Sequence, residues 1–179
     1  MKLDTIVNQP VVETERMILR PLRRSDAGLL EMYGADERVA RMTRSIPHPL
    51  PPGATEALIA RALADDRTED LWVLDGSAAG LGELLGLIGL EQMDRHQSEI
   101  GYWIGPAFWN TGLASEAVRA LIEANPHQDQ TMFASVFQDN PASARVLTNA
   151  GFEYLGDAEA FSVARGAPVP TWTYLKRLA

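Results

Sequence analysis

The stretch Tyr102-Trp103-Ile104-Gly105-Pro106-Ala107-Phe108-Trp109-Asn110-Thr111-Gly112-Leu113-Ala114-Ser115-Glu116-Ala117 constrains this chain most. It reads as a strand that enters a short glycine-containing turn and then opens an amphipathic helix. Gly112 lets the backbone turn tightly and approach a ligand with no Cβ in the way. The amides of residues 110–115 then converge on one spot, where the positive end of the helix dipole adds to them. Such a spot suits a pyrophosphate. Glycine before a helix is common, so the turn alone names no ligand. The Lys-Ser/Thr pair of a triphosphate-binding loop is missing after Gly112. The glycine pattern of a dinucleotide-binding βαβ unit is missing as well.

Periodicity places this turn within a mixed sheet. Arg16–Leu22 alternates as a first strand. Ser25 is expected to cap a short helix through Leu29, Leu30 and Met32, and another helical turn or two follows over Asp36–Met42. Four prolines between Pro47 and Pro52 make that segment a loop. A helix follows over Ala54–Ala64. Strands are expected at Leu71–Leu74, before an Asp75-Gly76 turn, then at Glu83–Leu90 and Glu99–Ile104. Past Gly112, Leu113, Ala117, Val118, Leu121 and Ile122 form one apolar stripe, so that helix packs on a sheet. Thr131–Phe137 is rich in strand formers, and Pro141 to about Ala150 is helical. Tyr154–Val163 and Val169–Leu178 form a closing hairpin around Arg165-Gly166. The order β-α-α-β-β-β-α-β-α-β-β is that of an α/β chain with a mixed (α+β) sheet, not a repeated parallel βαβ array.

Composition narrows the function classes. The 179 residues suit one domain, 1–179, with a sizeable core. No apolar run approaches the roughly 18–20 residues that span a bilayer. Met1-Lys2-Leu3-Asp4-Thr5 has no signal-peptide core, and a cytoplasmic protein is the simplest expectation. Without cysteine there is no disulfide, thiolate nucleophile or zinc-thiolate site. His48, His96 and His127 show no metal-ligand spacing and read as loop or surface residues, so no metal is expected. The net charge of −8 comes from residues 51–130, where thirteen acidic groups face four basic ones. That balance argues against a nucleic-acid surface and favours a cationic small partner. Solvated surface acids are the alternative reading.

A second motif, Asp139-Asn140-Pro141-Ala142-Ser143-Ala144-Arg145-Val146-Leu147, ends in Asn149-Ala150-Gly151-Phe152. Asn140 suits an N-cap, Pro141 the first helical position and Gly151 the left-handed position past the helix end. These three have a purely structural explanation. Ser143 does not need one of that kind: it puts a hydroxyl on the first turn of a helix that starts at a strand's end.

Together the two motifs resemble the GNAT superfamily of acyl-CoA-dependent N-acyltransferases, in particular its RimJ/RimL-like branch. The resemblance extends to Glu13-Thr14-Glu15-Arg16-Met17-Ile18-Leu19-Arg20-Pro21-Leu22, to Ile46-Pro47-His48-Pro49 and to Gly101-Tyr102-Trp103-Ile104. It implies a central splayed mixed sheet flanked by helices, with a β-bulge on the Glu99–Ile104 strand. It also implies acetyl transfer from acetyl-CoA to a primary amine, on a small molecule or a protein N-terminus, by direct attack in a ternary complex. The pantetheine arm would lie in the splay beside Trp103 and Ile104 and pair with backbone near Ile104. The pyrophosphate would be held by the amides of Asn110, Thr111, Gly112, Leu113, Ala114 and Ser115. Trp109 takes the first position of the family's phosphate loop, and Asn110 stands where glycine is frequent. Asn140 would hydrogen-bond the arm.

The resemblance also suggests chemical roles. An amide near Ile104 would bind the oxyanion. Many relatives protonate sulfur with a tyrosine seven residues after the asparagine; Leu147 stands there, which moves the acid to Ser143. Glu99 is the candidate base, with Glu91 and Asp94 just before it, and a water chain is the alternative. His48 and Glu91 would border the amine acceptor. The protein would be a monomer or a homodimer with no membrane or nucleic-acid partner. A non-catalytic acyl-CoA-binding module is the other reading of the same motifs.

Overall fold

In the computed structural model, which describes residues 9–178, the chain forms one eight-stranded sheet. The expectation about Met1–Thr5 lies outside the described residues. The strands are β1 (Val12–Glu13), β2 (Ile18–Pro21), β3 (Glu69–Asp75), β4 (Gly86–Asp94), β5 (Gln97–Ile104), β6 (Thr131–Phe137), β7 (Glu153–Ser162) and β8 (Ala167–Arg177). The helices are α1 (Ala27–Gly34), α2 (Glu37–Ala40), α3 (Ala54–Leu63), α4 (Leu113–Ala124) and α5 (Pro141–Asn149). In space the strand order is β1-β2-β3-β4-β5-β6-β8-β7, and only β5 and β6 pair in parallel.

Alternation along the strands divides the core into two layers. Trp72 and Leu74 on β3, Ile88 and Leu90 on β4, and Ile100 and Ile104 on β5 pack with Leu113, Ala117, Val118 and Leu121 of α4 and Leu147 of α5. Val73 on β3 and Leu87 on β4 face the other way, against Leu30 of α1 and Ile59 and Ala62 of α3. The stripe read from the sequence of α4 is therefore its buried face.

The decisive feature lies where β5 meets β6. They pair only over Gln97–Glu99 against Thr131–Phe133, although β5 runs on to Ile104 and β6 to Phe137. At the open end β5 crowds onto β4 instead. A Cβ on Gly86 would lie 2.2 Å from the Trp103 carbonyl oxygen, so only glycine permits that approach.

Several expectations need correction. The splay arises without a bulge near Ile104: the β4–β5 register is regular from Gly86–Ile104 to Gln92–Ser98 and shifts only between Gln92 and Asp94. Ser25 caps nothing. Asp26 stands at the N-cap position without a side-chain cap bond to α1; its Oδ2 instead reaches back to accept from Arg23 N at 2.7 Å, closing the short turn before the helix. The strand placed at Glu83–Leu90 begins at Gly86 and continues to Asp94, because the buried Leu84 and Leu85 belong to the preceding loop. The short β1 carries too little pattern to be read.

Arg20 fastens this end of the sheet. Its Nε donates to Asp75 Oδ2 at 2.8 Å, and Nη1 and Nη2 donate to Asp26 at 3.0 and 2.8 Å. The carbonyls of Pro21 and Glu83 accept the two remaining protons, both at 3.2 Å. All five donors of the buried guanidinium are thus used. Burial alone would push the Asp75 carboxyl up, but hydrogen bonds from Arg20 and Ser77 and the Arg20 charge hold it below its ordinary value.

Arg20→Leu would leave the buried Asp26 without its cation and Asp75 with only the more distant Arg23, 3.4 Å away. It is expected to cost about 3–5 kcal/mol, read as a lower urea midpoint at unchanged slope. Because Asp75 is depressed in the folded state, its contribution is present above its unfolded value and is lost as the pH falls through the acid range. Asp75→Asn should flatten that part of the acid-unfolding curve.

Candidate active site

Both helices that follow β5 and β6 start at the mouth of the gap. Beyond β5, Asn110 and Gly112 take positive φ angles of 62° and 81°. Asparagine tolerates that region better than other side chains, which explains how it stands where glycine is frequent. Among the described residues, no amide from Asn110 to Ser115 donates a backbone hydrogen bond. The first that does is Glu116 N, to Gly112 O at 3.1 Å. Six consecutive donors are left for an outside acceptor.

Arg16 orients this loop. Its Nη1 donates to Thr111 O at 3.0 Å, and its Nε donates to Glu116 Oε1 at 2.8 Å. Glu116 Oε2 also accepts from Arg16 N and Thr14 Oγ1. A trans peptide points its C=O and N–H in opposite directions. Holding the Thr111 carbonyl from behind therefore turns the Gly112 amide into the cleft.

Across the gap, Asn140 Oδ1 caps α5 by accepting from Ser143 N at 3.4 Å. Gly151 at φ 94° closes the helix, as expected. Ser143 Oγ donates to Tyr102 Oη at 2.9 Å, and Tyr102 Oη donates to Ser143 O at 3.1 Å. A phenol from β5 thus spans the gap to α5. Burial pushes the Tyr102 phenol up to about 12, against the opposing effect of the Ser143 hydrogen bond. Leu147 is fully buried in the core.

A cleft of about 440 Å³ runs through the gap and is lined by Trp103, Ile104, Trp109, residues 110–115, Asn140 and Ser143. The structure brings together every residue expected to hold the cofactor. Gly105 N donates to Leu85 O on the β4 side, so the neighbouring Ile104 and the alternate Tyr102 turn their N–H and C=O toward β6. Trp109 Nε1 already donates to Ile104 O at 2.7 Å, which leaves the Ile104 amide as the free group.

A second cavity, of about 950 Å³, opens on the α1/α3 face. The two share Met42, Ile100, Gly101, Tyr102, Trp103 and Ser135, so they meet in the plane of the sheet. Register aligns Glu69, Glu91 and Glu99 across β3, β4 and β5 as a row along the second cavity. Burial, and then the charge of Glu91, push the Glu69 carboxyl up. Arg44 Nη2 lies 3.1 Å from Glu99 Oε2. Trp103 packs edge-on against Tyr33 on this side. His48 is brought to neither cavity; its nearest carboxylate is Glu37, at 4.0 Å. His96 sits in the exposed β4–β5 turn. His127 sits in the loop before β6, half-buried, and joins Ser98 Oγ at 3.1 Å to Asp70 Oδ2 at 2.8 Å. No three His, Asp or Glu side chains among the described residues group to hold a metal ion.

Sequence reasoning missed Arg16, Tyr102 and Glu69. Arg16 stands in the opening motif, but its partners are about a hundred residues away. Tyr102 alternates with Ile100 and Ile104, and that parity was the available signal.

The sequence pattern of the acetyltransferase (GNAT) domain matches residues 16–153. The chain belongs to this family. As a GNAT protein it is an N-acetyltransferase. It is 29% identical over 174 residues to the uncharacterized N-acetyltransferase YoaA of Bacillus subtilis (strain 168), covering 92% of this chain and 95% of that one. The fold is shared with RimL, a ribosomal alpha-N-protein acetyltransferase in complex with coenzyme A. That match has a TM-score of 0.77 and 15% identity, and covers 94% and 98% of the two chains. It is also shared with the Vibrio cholerae spermidine N-acetyltransferase in complex with CoA and spermine, with a TM-score of 0.73, 18% identity and coverage of 89% and 95%.

Gly112→Ala forces a Cβ into the left-handed region and within 3.4 Å of Arg16 Nη2. It is expected to cost about 1–2 kcal/mol of stability in urea unfolding.

Proposed function

We propose that this GNAT protein transfers the acetyl group of acetyl-CoA to a cationic primary amine by direct attack in a ternary complex, in the manner of the RimJ/RimL-like branch. The observation that carries the reading is the meeting of two cavities at Gly101–Trp103: one has six free amides at its far end, the other a row of three glutamates. The first suits a pyrophosphate followed by an extended arm, the second an ammonium group. The row also supports a base. An alkyl amine is protonated near neutral pH and must lose a proton before it attacks. Glu99 stands nearest the junction on β5 and Glu91 beside it contacts the acceptor, while Glu69 has the raised carboxyl that proton acceptance favours. The free Ile104 amide is the oxyanion donor, and the hydroxyl pair of Ser143 and Tyr102 faces the departing sulfur. Arg145, exposed beside the cleft, adds a positive charge for phosphate.

The test is release of free CoA thiol with a panel of polyamines, neutral amines and N-terminal peptides. Acetyl transfer that favours cationic amines is expected. No thiol release with any amine would overturn the reading, and equal rates on neutral and cationic amines would remove its acceptor class.

Loss of the loop's orienting contact has its own signature. Arg16→Ala is expected to raise KM for acetyl-CoA about tenfold, the effect of one lost charge-assisted hydrogen bond. The KM for the amine should stay unchanged in the same steady-state assay.

A further inference from the structure

We infer that the proton leaving with the CoA sulfur comes from Tyr102, and that Ser143 is the hydroxyl that holds the resulting phenolate. The inference rests on the acetyl-transfer reading above and names the acid within that site. Six residues are common to both cavities, and only Tyr102 and Ser135 among them carry a hydroxyl. A phenol gives up a proton far more readily than an alkanol. Ser143 lines only the cofactor side, and its own proton is already directed at Tyr102 Oη, 2.9 Å away. That hydrogen bond makes Tyr102 the better acid and Ser143 the poorer one. The position seven residues after Asn140 is Leu147, which is fully buried and has no proton to offer.

The free enzyme keeps the Tyr102 proton on the Ser143 carbonyl, at 3.1 Å. Burial holds the phenol at about 12, so it stays protonated across the working pH range. A thiolate forming in the same desolvated junction is also raised, which narrows the difference the proton must cross. The amine nitrogen bonds to the acetyl carbon, and the C–S bond then breaks with its electron pair on sulfur. The Tyr102 proton passes to that sulfur, while Ser143 Oγ–H remains on the phenolate. The proton lost by the amine nitrogen returns to Oη through solvent. One N–H and one C–S bond are exchanged for one N–C and one S–H bond, with no net change in protonation.

Tyr102→Phe is expected to lower kcat at least about 100-fold, the scale of a general acid, with KM and the binding of CoA unchanged. Ser143→Ala, which removes one hydrogen bond to the phenolate, should lower kcat only about tenfold. Difluorotyrosine at position 102 supplies a readout that a packing role would not move. By lowering the phenol's pKa it should bring an alkaline limb of kcat into measurable range, absent from the unsubstituted enzyme. A larger loss in Ser143→Ala than in Tyr102→Phe, or an unchanged pH profile with the fluorinated side chain, overturns the assignment. So does loss of CoA binding in step with activity. If the unsubstituted protein itself transfers no acetyl group, the function reading fails and this assignment falls with it.

Discussion

The hydrogen bonds that β5 and β6 do not make organise the rest of the molecule. Beyond Glu99 and Phe133 the two strands separate, and each leaves one row of backbone groups without a strand partner. Buried groups of that kind are costly when unpaired, so the gap has to be filled by polar chemistry. Trp109 answers the Ile104 carbonyl, and Tyr102 spans the gap to α5. The remaining groups face a cleft. At the closed end the parallel pair is fastened from outside: His127, in the loop before β6, ties Ser98 of β5 to Asp70 of β3. Burial would push the Asp70 carboxyl up, but hydrogen bonds from His127 and Arg67 hold it down. The strands are thus fixed at one end and open at the other.

The opening also decides where the helices begin. A strand that ends at the mouth of the gap delivers the next helix N-terminus to it, and both β5 and β6 do so. Two dipole ends and the six unbonded amides of the Asn110–Ser115 loop therefore surround one space. Alternation on β5 then separates two tasks. Ile100, Tyr102 and Ile104 point toward α4 and α5, whereas Glu99 and Trp103 point toward α1 and α3. Gly101, which lines both cavities, has no atom within 4 Å of the place a Cβ would take. A donor on one face and an acceptor on the other would meet in the plane of the sheet.

This division also explains what the sequence makes legible. Helix α4, strand β6 and helix α5 were readable because their signals are local: an apolar stripe, a run of strand formers, an Asn-Pro start and a glycine stop. The loop of unbonded amides from Asn110 to Ser115 was readable for the same reason, since those amides are consecutive. Tyr102 with Ser143, Arg16 with Glu116 and the row of Glu69, Glu91 and Glu99 were not. Each depends on which residues of distant segments become neighbours, and register settles that. A shift of one residue between β4 and β5 would send Glu91 and Glu99 to opposite faces. The bulge expected on the Glu99–Ile104 strand is not there, because its register with β4 is regular from Gly86–Ile104 to Gln92–Ser98. His48 lines neither cavity, and its position in a proline-rich loop does not say which way that loop faces.

The roof of the larger cavity connects the two faces. Phe161 and Val163 line that cavity from the end of the β7–β8 hairpin, and Val163 N donates to Arg44 O at 3.1 Å. Arg165, at the hairpin tip, holds the Arg41 carbonyl at 2.8 Å and Asp139 at 2.7 Å, and stacks 5.0 Å above the ring of Phe137. Asp139 immediately precedes Asn140, the residue that caps α5 and sets the first turn on which Ser143 stands. Hydrogen bonds from Arg165 hold the Asp139 carboxyl below its ordinary value. The hairpin that borders the larger cavity and the helix start that supports Tyr102 are therefore parts of one bonded unit.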